Sequence, residues 1–209
     1  MKMDPSILSL YVIPDRSIGA PRSLAEQASL ALDGGATAIQ LRDKAMSSSE
    51  MTKIARSLTG LCHNKGAKLF VNDRLEVALT AEADGCHLGQ SDYPLSKARK
   101  MAPRPFLIGL SVHTPEQARI AEEEGADYIG VGAIFPTGTK DDASVIGLEG
   151  LREIARSTTL PIVAIGGIAL SNGPSVMEAG ASGIAVVSAV VGTSDPTSSA
   201  RELLKLVRS

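Results

Sequence analysis

A helix-ending small residue followed almost at once by a short apolar run recurs along this chain, and that repeat restricts its fold more than any other feature. GGATAIQLR (34–42), ADGCHLG (83–89), EGADYIGVG (124–132) and AGASGIAVVS (179–188) share the plan. In each, Gly or a small residue closes a helical stretch. Glycine reaches the left-handed conformation at low cost, so the chain turns sharply back into a sheet. A repeated helix–turn–strand unit is the pattern of stacked βα modules. Completing the series gives eight strand candidates: Leu10–Ile13, Ala38–Leu41, Lys68–Val71, Gly85–Leu88, Leu107–Leu110, Tyr128–Val131, Ile162–Ile165 and Gly183–Val187.

The segments between them read as helices. Ser23 with Glu26, and Ser47 with Glu50, form capping boxes, in which the Ser oxygen and the Glu carboxylate satisfy free N–H groups. After the second box, Met51, Ile54, Ala55, Leu58, Leu61 and Cys62 make one apolar stripe at helical spacing. Thr114-Pro115 and Asp195-Pro196 each set an N-cap before a Pro suited to the first helical position. The expected architecture is α/β, a closed (β/α)8 TIM barrel in a single domain over residues 1–209. A doubly wound open sheet is the alternative.

Composition agrees. Hydrophobic residues make up 44% and aromatics only 3%, so the core is expected to be Val, Ile, Leu and Ala, which suit parallel strands buried on both faces. A net charge of -2 with no basic tract argues against nucleic acid or an anionic membrane as partner. Cys62 and Cys86 stand apart without a CxxC pair and read as small buried hydrophobes. Residues 157–177 carry no charge, yet Pro161, Gly166, Gly167, Gly173 and Pro174 interrupt them. They read as two buried strands and a loop rather than a membrane span. With no signal-like N-terminus, a cytoplasmic location is expected.

Barrel enzymes place their chemistry in the loops after the strand C-terminal ends. The unusual polar residues fall there: Gln40 to Lys44, Asn72-Asp73, Gly89 to Asp92, Ser111 with His113, Pro136 to Lys140, Gly166-Gly167 and Val187-Ser188. Arg42, Lys44 and Lys140 gather positive charge on one rim, and Asp73 and Asp92 follow adjacent strands. A diphosphate carrying Mg2+ requires this mixture, since Mg2+ favours one or two carboxylates plus phosphate oxygens and water, while Arg and Lys neutralise the remaining oxygens. Gly167 allows close backbone approach, and Val187-Ser188 can offer N–H groups to a second phosphate. Blander roles stay open: Asp73 as a helix cap, Asp92 as a turn residue, His113 as a structural neighbour of Thr114, and the lysines as solvated surface groups.

Six motifs in order, QLRDK (40–44), VND (71–73), GQSD (89–92), LSVHT (110–114), FPTGTK (135–140) and AIGGI (164–168), resemble the thiamine-phosphate synthase family from about Tyr11 to Ser188. The resemblance implies coupling of hydroxymethylpyrimidine diphosphate to hydroxyethylthiazole phosphate, with release of pyrophosphate. It implies that Gln40, Leu41, Arg42, Asp43, Lys44, Asn72, Ser111 and Lys140 hold the pyrimidine diphosphate, with Lys140, Arg42, Lys44 and Ser111 serving the chemistry. It further implies Mg2+ on Asp73 and Asp92, and thiazole phosphate on Thr137, Gly138, Thr139, Gly167, Val187 and Ser188. The partners are then small phosphorylated molecules. A TenI-like thiazole tautomerase shares the fold and a His in the loop that holds His113, but tends to lack the second metal Asp and the PTxTK loop, both kept here. A phosphate-binding barrel without turnover is the other alternative. Pro14 in YVIPD (11–15) departs from the ordinary strand end and leaves the shape of the first loop open.

Overall fold

The structure, a computed structural model, describes residues 3–138 and 145–208. Eight parallel strands close into a barrel in chain order: β1 Leu10–Val12, β2 Ala38–Leu41, β3 Lys68–Asn72, β4 Gly85–Leu88, β5 Leu107–Val112, β6 Tyr128–Val131, β7 Ile162–Ile165 and β8 Gly183–Val186. Around them lie α1 Leu24–Asp33, α2 Ser48–Asn64, α3 Leu75–Thr80, α4 Leu95–Met101, α5 Pro115–Glu123, α6 Gly147–Ser157, α7 Gly173–Glu178, α8 Ser188–Val191 and α9 Pro196–Val207. β1 pairs with both β2 and β8, so the sheet has no edge and the open-sheet alternative is excluded. The uncharged stretch 157–177 holds one strand, β7, and most of α7, not the two strands expected. Pro174 sits in the first turn of that helix, where its missing N–H costs nothing. No helix among the described residues is long and apolar enough to cross a membrane.

The repeat in the sequence is the repeat in the turns. Ala36, Ala67, Ala83, Ala126 and Ala181 each donate an N–H to a carbonyl five residues back, on Ala31, Cys62, Ala78, Ala121 and Val176. This is the six-to-one bond of a Schellman turn, which needs a left-handed residue just before. Glycine supplies it at 35, 66, 125 and 180, but Glu82 does so at φ 54°, so the second unit closes on a residue the repeat did not predict. The caps divide similarly. Ser47 and Glu50 form the full reciprocal box, whereas Ser23 only accepts from the Glu26 N–H.

The residue after each of four of these turns closes the lower rim. Thr37, Asp84, Asp127 and Ser182 each donate a backbone N–H to the carbonyl of Leu10, Leu69, Ile108 and Ile162, at 2.8 to 3.0 Å. Each side-chain oxygen accepts the N–H of that same partner, at 2.8 to 3.2 Å. The result is a two-way stitch from the start of β2, β4, β6 and β8 to β1, β3, β5 and β7.

The interior has two compartments. Between sheet and helices the packing is aliphatic, as the composition implied. Inside the barrel, Tyr11, Phe70 and Tyr128 stack at centroid distances of 5.2 to 6.3 Å. Glycines make room for them. Gly109 lies directly across from Tyr128, and a Cβ there would come within 2.1 Å of its ring. Three of the six aromatics thus lie in the lumen, where they form a floor beneath the upper loops.

Candidate functional site

β2 and β3 end side by side, and their loops enclose a small cavity of about 270 Å³ lined by Arg42, Asp43, Lys44, Asn72, Asp73 and Arg74. Strand alternation sorts QLRDK between faces. Gln40 points into the lumen, while Leu41 is buried between sheet and helices, so the Leu41 side chain cannot touch a substrate in the barrel mouth. Asp43 pairs with Arg16 at 2.8 Å and accepts the Ala45 and Met46 N–H groups, so it shapes its own loop. Among the described residues, neither Arg42 nor Lys44 is ion-paired.

Asp73 does not cap the following helix. α3 begins after Arg74, without a side-chain cap. Instead the Asp73 N–H donates to the His87 carbonyl at 2.8 Å and the residue adopts φ 63°, a region Asp tolerates better than most residues. Burial, then a hydrogen bond and charge repulsion from Asp92, push its carboxyl up to about 6, against the pull of Arg42 and Lys44. Asp92 also has the turn role: its Oδ2 accepts the Gly89 N–H at 2.6 Å. Two carboxyl groups that repel one another beside two cations form a place that a divalent ion would suit. Among the described residues no third His, Cys, Asp or Glu joins them, so water and phosphate oxygens would have to complete the shell.

Beside this annex opens a chamber of about 800 Å³. Its floor is a chain of hydrogen bonds that sequence reasoning missed. Gln40 Nε2 donates to Tyr11 Oη at 3.1 Å, the Tyr11 and Tyr128 hydroxyls are 3.2 Å apart, Tyr128 Oη lies 3.0 Å from His87 Nδ1, and His87 Nε2 lies 2.9 Å from Ser111 Oγ. Burial raises both phenols well above their ordinary range, so both keep their protons. His87 was hidden inside an apolar strand run. Its only sequence signal was a glycine in the middle of β6: a Cβ on Gly130 would come within 2.8 Å of the His87 ring.

The loops after β1 and after β5 to β8 form the rest of the wall, including Pro14, His113, Thr137, Gly167, Val187 and Ser188. Gly167 has φ 63°, and a Cβ there would meet the Pro136 carbonyl oxygen at 2.7 Å, so glycine is demanded by packing between loops as well as by any ligand. Among the described residues nothing lies within 4 Å of a Cβ built on Gly138. His113 Nδ1 lies 3.1 Å from the Gly132 carbonyl oxygen, which can only accept; this fixes the proton on Nδ1 of the neutral ring. Thr139 and Lys140 lie outside the described residues. Cys62 and Cys86 are buried free thiols, with Cys62 pushed up to about 12 by desolvation, and neither lines the chamber.

This arrangement has close counterparts. The chain is 52% identical to a thiamine-phosphate synthase of Coprothermobacter proteolyticus, with 96% of this chain and 95% of the relative covered. It is 48% identical to that of Methanospirillum hungatei, covering 95% and 97%. The fold superposes on a thiamine phosphate pyrophosphorylase from Pyrococcus furiosus with a TM-score of 0.90, at 46% identity over 98% of this chain and 97% of the other. The sequence profile described as thiamine monophosphate synthase matches residues 10–190. The chain belongs to the thiamine monophosphate synthase family.

Proposed function

We propose that this chain is a transferase of thiamine biosynthesis that joins hydroxymethylpyrimidine diphosphate to hydroxyethylthiazole phosphate, giving thiamine phosphate and pyrophosphate. The observation that carries the reading is the placement of Asp73 and Asp92 together beside Arg42 and Lys44, at the edge of a chamber large enough for two rings. The diphosphate belongs over the annex, held by Arg42, Lys44, Asn72 and Ser111, with Gln40 at the pyrimidine and Lys140 assigned through the family motif. The thiazole phosphate belongs on the opposite wall, at Thr137, Gly138, Thr139, Gly167, Val187 and Ser188. The partners are small phosphorylated molecules, and a reducing cytoplasm suits two free thiols.

Mg2+, when bound by Asp73 and Asp92 together with diphosphate oxygens and water, supplies charge neutralisation at the leaving group. The aminopyrimidine spreads positive charge from its methylene carbon, so C–O cleavage precedes attack by the thiazole nitrogen. Charge then builds on the departing pyrophosphate, where Arg42, Lys44 and Lys140 stabilise it. The aromatic floor keeps water from the carbocation. No protein nucleophile is needed.

Thiazole tautomerisation is the second reading, favoured by one observation: the Nδ1–H of His113 is committed to Gly132, leaving Nε2 as a base at the chamber wall. An assay with both substrates, with and without Mg2+, separates the two. The synthase forms thiamine phosphate only with the metal. Isomerisation of a thiazole carboxylate phosphate with no thiamine phosphate would overturn it.

A further inference from the structure

The chain of bonds beneath the chamber has a direction. Gln40 presents its amide nitrogen to Tyr11, so the Tyr11 oxygen accepts and its own proton must go on. Among the described residues the acceptor within reach is the Tyr128 oxygen, 3.2 Å away. Tyr128 must then donate to His87 Nδ1, which leaves the imidazole proton on Nε2, and that proton goes to Ser111 Oγ. With the Gln40 amide nitrogen turned to Tyr11, the opposite polarity would have the Tyr11 oxygen accept from both Gln40 and Tyr128, leaving its own proton without an acceptor among the described residues. Such a proton is costly to leave unpaired.

Running from Gln40 to Ser111, the chain fills the Ser111 oxygen with an incoming proton and turns its own O–H outward. Ser111 and His87 both line the chamber. Diphosphate oxygens only accept, so an outward donor is the polarity they require. We propose that Tyr128 is a positioning residue. It touches no substrate, but by donating to His87 it fixes the Nε2–H form and makes Ser111 a dedicated donor to the diphosphate. This rests on the synthase reading for the ligand, but not for the polarity of the chain.

The test separates those two. Long-range nitrogen–proton correlation of the substrate-free protein reads the tautomer of each of the three histidines. His87 should show Nε2–H and His113 the opposite, Nδ1–H, in one spectrum. An Nδ1–H pattern or an even mixture at His87 overturns the proposal whatever the enzyme does. Tyr128→Phe should remove the single-tautomer signature and slow turnover about tenfold, the loss of one buried hydrogen bond. In a Ser111→Ala background the same change should cost nothing further. An equal cost in both backgrounds would show that Tyr128 acts by packing alone. Tyr11→Phe breaks the chain one link earlier and repeats the test should Tyr128→Phe fold poorly.

Discussion

The two ends of the barrel use polar residues in opposite ways. At the lower rim every oxygen of the four stitches has a donor. Asp127 is the extreme case, binding the Ile108 N–H, Arg99 and Arg104 with only 3% of its side chain exposed. At the upper rim, Asp73 faces Asp92 while Arg42 and Lys44 stand without an ion pair among the described residues. One end spends its polarity on closure. The other holds carboxyl groups and cations that form no ion pair with one another among the described residues, available to a ligand that brings phosphate and metal.

The largest effect that tests this contrast is Asp127→Ala. It strips the partner from two guanidinium groups, one of them mostly buried, and is expected to cost about 4 kcal/mol in unfolding free energy. Activity per folded molecule should hardly change. Denaturant titration with active-site-normalised turnover checks both, and a stable but inactive variant would mean that the lower rim reaches the chemistry.

Next comes Lys140→Ala, assigned to the upper rim by its motif. It should slow bond breaking about a hundredfold, or ~3 kcal/mol, without weakening thiazole phosphate binding. A single-turnover rate that stays at the wild-type value removes Lys140 from the mechanism.

Asp73→Asn and Asp92→Asn should each raise the Mg2+ concentration for half-activity about tenfold, and because both act through one ion the double variant should lose less than the sum. Asp73 also has a pH signature. Its folded value of about 6 lies above the ordinary 3.8, so it contributes stability to the metal-free chain fully below 3.8, and loses that contribution as pH rises through about 6. At pH 8 without metal, Asp73→Asn should therefore melt no lower than the parent. A clear drop would return Asp73 to a structural role.

The smallest effect is expected from His113→Ala, which should keep most synthase activity, within about fivefold, because no strong base is required. Near-complete loss in a folded variant would favour proton chemistry at that wall.

Much of this is legible in the sequence. β2, β3, β4, β6 and β8 could be placed because each follows a compact helix-ending turn, and all eight strands because each carries a β-branched or aliphatic run. The upper-rim charges were legible because Lys, Arg and Asp directly after an apolar strand have no core role. The floor was not. Tyr11, His87 and Tyr128 sit inside runs that read as ordinary buried strand, and nothing in a local pattern tells the lumen from the outer layer. Leu41 shows the same limit in reverse: a contiguous motif suggested one shared role, while the two-residue period of a strand sends its side chain to the far face.

The stitches carry one more consequence. They join β1 to β2, β3 to β4, β5 to β6 and β7 to β8, so the ring is four clasped pairs rather than eight equal staves. The seams between pairs, β2 to β3, β4 to β5, β6 to β7 and β8 to β1, rely on backbone ladders without that clasp. Thermal breathing should begin there, and amide exchange around the barrel should rise and fall with a period of two strands.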